Sequence, residues 1–72
     1  MKYLIVIEET GTGFSAYSPD VDGCIATGKT RQEVEENMQE ALKFHLEELL
    51  LEHQEIPRSR TYSNYLEVTA KV

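Results

Sequence analysis

Residues 30–55 run without a glycine or a proline, and they open on Thr-Arg-Gln-Glu, Thr30 to Glu33. That tetrapeptide is a capping box. The threonine oxygen accepts from the N–H three residues on, and Glu33 reaches back to the N–H of Thr30. Glu33, Glu35 and Glu36 crowd the first turns, where the helix dipole favours negative charge. Val34, Met38, Ala41, Leu42, His45 and Leu49 recur at helical spacing and form one apolar stripe. The pattern predicts a helix of about six turns within this uninterrupted run. In a chain of 72 residues, such a helix leaves room for one domain, 1–72, and requires the rest to pack against its stripe.

The flanking segments carry strand patterns. Residues 2–9, Lys-Tyr-Leu-Ile-Val-Ile-Glu-Glu, are apolar at successive positions, which predicts a central strand covered on both faces. Two glycines within 10–13 mark a turn. In 14–18, Phe14, Ala16 and Ser18 alternate with Ser15 and Tyr17, a second strand in a hairpin with the first. Pro19 ends it, since proline gives no N–H to the ladder. Residues 24–28 read as a short third strand closed by Gly28. Beyond the helix, 56–64 form a loop. In 65–72, Leu66, Val68, Ala70 and Val72 alternate with Tyr65, Glu67, Thr69 and Lys71, which predicts a last strand.

The expected architecture is α+β with the order β-β-β-α-β. The first three strands make an antiparallel meander. A right-handed crossover through the helix sets the last strand beside the first, giving sheet order 3-2-1-4 with one helix on one face. The other face stays bare, with Leu4, Val6 or Tyr17 pointing into it. Phe44 and Leu51 lie off the helical stripe. A domain this small hides only ~60% of its chain's surface, so a homo-oligomer, dimer or tetramer, is expected, with Tyr17, Phe44 and Leu51 at its interface.

Thirteen acidic against seven basic residues give a formal net charge of −6. That balance opposes direct binding to nucleic acid, which requires a basic stripe, and favours a basic protein partner. The single cysteine, Cys24, allows no intrachain disulfide and fits a reducing cytoplasm. The N-terminal apolar run is too short for a signal peptide, and no stretch approaches the ~20 apolar residues of a membrane span.

Several motifs invite a chemical reading. Residues 23–30, Gly-Cys-Ile-Ala-Thr-Gly-Lys-Thr, match the phosphate-loop pattern letter for letter. The four residues between the glycines suit a strand rather than a cradle of amides. Asp-Val-Asp-Gly, 20–23, begins like a calcium loop but lacks its later ligands. His45 is flanked at helical spacing by Ala41, Leu42 and Leu49, so it reads as a core-edge histidine. Glu8, Glu9, Asp20 and Asp22 are the carboxylates expected to gather at one end of the sheet. There they either meet a basic partner or, through Glu8, Glu9 or Asp20, hold a metal for phosphodiester cleavage. The partner-binding role is preferred: no catalytic residue, metal or cofactor is assigned. A stand-alone oligomer binding a small ligand is a further alternative.

With that order of elements, the chain resembles the HicB-type antitoxin family. The resemblance rests on Pro19-Asp20-Val21-Asp22-Gly23-Cys24 after an aromatic strand, on Gly28-Lys29-Thr30 at the helix start, on the glutamate-rich helix, and on Ile56-Pro57 at its exit. It implies a degenerate ribonuclease-H-like fold without catalysis. It also implies a partner, a small basic RNA-cleaving toxin of the HicA type, whose active site the antitoxin covers. Many members carry a further C-terminal DNA-binding segment. This sequence reaches Val72 just after the last expected strand, so it is expected to act without one.

Overall fold

The computed structural model describes residues 1–71. Three strands and one helix follow in order: β1 (Val6–Glu9), β2 (Phe14–Tyr17), β3 (Ile25–Gly28) and α1 (Arg31–Leu51). The strands form an antiparallel sheet in the order β1-β2-β3. Ile7 stands opposite Ala16, which stands opposite Ala26. That row, with Tyr3, Ile5 and Phe14, faces the helix and joins the core of Ala16, Val21, Cys24, Val34 and Met38. The period-2 pattern of residues 14–18 therefore placed its two faces correctly: Ala16 and Ser18 are buried, Tyr17 exposed.

Helix α1 begins as its cap dictates. Glu33 N donates to Thr30 Oγ1 at 3.0 Å. Glu33 Oε1 accepts from the N–H of Lys29 at 3.0 Å, one residue earlier than the capping box requires. Val34 and Met38 are fully buried, and Ala41, Leu42, His45, Leu46 and Leu49 are half-buried. The helix packs chiefly over β3 and secondarily over β2. At 21 residues it has the expected length of about six turns, and it stops at Leu51, before the run free of glycine and proline ends. His53 takes a left-handed φ of 58°, while the N–H of His53 bonds Leu50 O and that of Gln54 bonds Leu49 O. This Schellman closure satisfies the last carbonyls, so the chain turns back before Ile56.

Close approach fixes two glycines and conformation a third: a Cβ on Gly13 would run into the backbone oxygen of Gly28. A Cβ on Gly28 would lie 2.5 Å from Val34 N, so the helix start rests directly on the β3 backbone. Gly23 has φ +76°, which a side chain disfavours.

The sheet departs from expectation in two respects. First, β1 is an edge strand that begins only at Val6, and the apolar run Tyr3 to Ile7 is half-buried rather than enclosed. Second, the described residues contain no fourth strand. The chain after the helix packs as far as Thr61, and 62–71 are wholly exposed. The alternation in this segment is real, but alternation needs an opposing edge before it becomes a ladder, and this segment meets none. Val72, the last residue of that expected strand, lies outside the described residues.

Candidate functional site

The register separates the carboxylates that the sequence grouped together. Glu8 and Glu9 end β1, with Glu9 opposite Phe14, whereas Tyr17 lies opposite Val6 at the other end of the hairpin. Asp20 and Asp22 follow Tyr17 and so belong to that other end. Three residues of strand, about 10 Å, intervene. No group of three or more His, Cys, Asp or Glu able to hold a metal ion is found among the described residues. The carboxylate cluster on which the metal-dependent alternative depends is thus divided between two ends of the sheet.

The Pro19–Cys24 turn is organised from within. Ser18 Oγ donates to Leu4 O at 2.9 Å, and Val21 N donates to Ser18 O at 3.2 Å. Val21 and Cys24 turn into the core. Burial pushes the Cys24 thiol up, away from the thiolate that reactivity requires. Asp20 Oδ2 accepts from the backbone N–H groups of Arg60 at 2.9 Å and Thr61 at 3.0 Å, and Oδ1 accepts from the Thr61 hydroxyl at 2.7 Å. The Thr61 hydroxyl, and next the Arg60 amide, hold the Asp20 carboxyl below its usual range. Asp20 is therefore a clasp that ties the β2–β3 turn to the segment returning from the helix. Tyr3 adds a second tie, its hydroxyl donating to Pro57 O. The shallow depression at this end is lined by Asp20, Asp22, Arg58 and Arg60, so its charges balance. The phosphate-loop match dissolves as its composition suggested, because Ile25–Gly28 is strand β3.

Two surfaces remain open. Eight of the thirteen carboxylates lie between Glu33 and Glu55, against one cation there, Lys43, and all nine residues are exposed. The glutamates of the first turns read as dipole partners, and the glutamate-rich helix as part of a resemblance, but neither reading makes the helix an acidic face. The signal was available in the simple count of charges along the helix. The second surface is the sheet face away from the helix, where Val6, Tyr17 and Ile25 stand in one cross-strand row. Tyr17 is 42% and Ile25 71% exposed. Tyr17 was anticipated there, but Ile25 was not. Phe44 and Leu51 are exposed on the helix, off its core stripe.

The family described as HicB_like antitoxin of bacterial toxin-antitoxin system matches residues 3–70. The chain belongs to this family. A protein of Haemophilus phage HP1, described as an uncharacterized 14.9 kDa protein of the rep-hol intergenic region, is 38% identical over 66 residues, 92% of this chain and 50% of its own length. Among solved structures, a HicA3 and HicB3 toxin-antitoxin complex contains a chain 40% identical, with TM-score 0.67, over 76% of this chain and 64% of its own. The antitoxin HicB3 alone is 39% identical with TM-score 0.67, over 78% of this chain and 41% of its own. The HicB-like chain thus spans about half the length of the phage relative and less than two thirds of either solved chain. Its helix is the longest element of the described structure, and no helix among the described residues is long and apolar enough to cross a membrane.

Proposed function

We propose that this HicB-like chain is an antitoxin that acts in the cytoplasm, neutralising a small basic RNA-cleaving toxin of the HicA type by covering its active site. The observation carrying this reading is the family match over residues 3–70. The likeness to a chain solved in a HicA3–HicB3 complex supports it. Charge supplies the physical means. A toxin that grips RNA must present a positive surface, and the exposed carboxylates of 33–55 offer it a negative one without any basic stripe of their own. Glu8 and Glu9, exposed at the end of β1, extend the acidic contribution. Asp20 does not, because its oxygens are engaged within the chain. The three-stranded layer and its helix serve as a reduced ribonuclease-H-like scaffold, with no catalytic role for the chain itself.

Co-expression with the small basic protein of a neighbouring reading frame tests the reading. The complex should co-purify, weaken as salt rises, and abolish RNA cleavage by the basic protein. Glu40→Lys with Glu47→Lys should weaken it by about tenfold or more, while Asp20→Asn leaves the affinity near wild type. A complex indifferent to both salt and these reversals would refute the charge mechanism. RNA cleavage undiminished by the bound chain would refute the antitoxin role.

A further inference from the structure

The segment after the clasp has the pattern of a strand and no sheet to join. Tyr65 is 97%, Leu66 81% and Val68 84% exposed, and every residue of 62–71 is exposed. The radius of gyration is 14.9 Å, against about 11 Å for a compact domain of this length, as a segment standing clear of the body requires. Leu66, Val68 and Ala70 fall on one side of such a strand, and Glu67, Thr69 and Lys71 on the other.

The same molecule has an unfilled edge. Within the described residues β1 pairs only with β2, so its other side presents a row of unpaired backbone groups. The opposite edge is blunted, because Asn37 Nδ2 donates to Thr27 O on β3 at 2.8 Å. The helix packs over β3 and β2, which leaves Ile7 of β1, and Tyr3 and Ile5 in the residues leading into it, half-covered. A strand added beside β1 with Leu66, Val68 and Ala70 turned inward would both complete the ladder and cover that row.

We propose that two copies of this chain exchange residues 65–71, each copy adding them as a fourth strand to the free β1 edge of the other. Among the described residues, the single chain leaves the outer edge of β1 empty and 65–71 unpaired. The strand's occupancy therefore comes from a second copy, and a two-fold axis makes the exchange reciprocal. Asp20 fixes the point of departure by holding Arg60 and Thr61. The exchange is independent of toxin binding.

Sedimentation of the full chain and isotope-mixed NMR test this. The wild type should sediment at twice the chain mass. A mixture of two differently labelled batches should show intermolecular contacts between 65–71 and Tyr3–Glu9. Val68→Pro removes a ladder N–H and should halve the sedimenting mass, with the helical circular dichroism signal retained because the segment lies outside the core. Leu66→Ser should weaken the dimer in the same direction. A monomeric wild type, contacts between 65–71 and β1 of the same molecule, or a dimer that survives Val68→Pro would each overturn the proposal. The last result would assign the dimer to another surface, such as the Val6–Tyr17–Ile25 row.

Discussion

Gly28 is a position where one methyl group should do heavy damage. An added Cβ would stand 2.5 Å from Val34 N, 2.9 Å from Val34 Cα and 3.0 Å from the carbonyl carbon of Glu33. All three are backbone atoms of the first helical turn, so no rotamer change relieves the contact. Ordinary contact begins near 3.4 Å, and the helix start must therefore withdraw by close to one ångström. Overpacking of this kind costs ~1–3 kcal/mol, and an unyielding backbone places Gly28→Ala near the upper end. The core of so small a domain supplies only ~3–5 kcal/mol, so about half or more of the stability should vanish. Two other glycines serve as controls. Gly11 has no atom within 4 Å of its Cβ position, so Gly11→Ala should gain about 0.4–1 kcal/mol through the unfolded chain. Gly23→Ala, at φ +76°, should lose about 1–2 kcal/mol to left-handed strain. Urea unfolding followed at the helix band measures all three. A Gly28→Ala loss below about 0.5 kcal/mol, or one smaller than that of Gly23→Ala, would refute the close-packing argument.

The helix termini give opposite outcomes. Thr30→Ala should cost about 1 kcal/mol by orphaning the Glu33 amide, whereas His53→Gly should gain about 1 kcal/mol by relieving the left-handed residue; urea midpoints check both. The Asp20 clasp should be pH-dependent. Its folded carboxyl lies below the usual range, so its contribution is complete above the unfolded value and is lost as pH falls through the folded one. Hydrogen exchange at the Arg60 and Thr61 amides should accelerate over that acid window, and Asp20→Asn should remove the acid step. Cys24, buried and pushed up in pKa, should react with a thiol reagent far more slowly in the native chain than in urea. Equal rates would show the thiol to be accessible.

The helix and the hairpin were legible because their signals are local. A cap, a period of 3.6 and a period of 2 specify φ, ψ and facing without reference to distant residues. The capping box erred by one residue at Glu33, since a flexible carboxylate selects among neighbouring amides. The role of Asp20 was not legible. Its partners lie 40 and 41 positions away, and nothing in the letters of a turn reveals a contact at that separation. The alternation over 65–72 predicted a last strand that the described residues do not contain, because a period of 2 does not by itself supply the edge a ladder needs. The acidic face was missed for a different reason: the charges were counted over the whole chain rather than along its one long element.

The helix rises about 32 Å over its 21 residues, whereas a four-residue strand spans about 13 Å. Its fully enclosed side chains, Val34 and Met38, sit near one end, so the element behaves as a lever seated at its root. A tilt of about 5° at Met38 carries Leu51 through an arc of about 2 Å. Small repacking at the strand–helix junction is thereby magnified at the far tip, so the position of the negative surface is set by residues enclosed at the helix root.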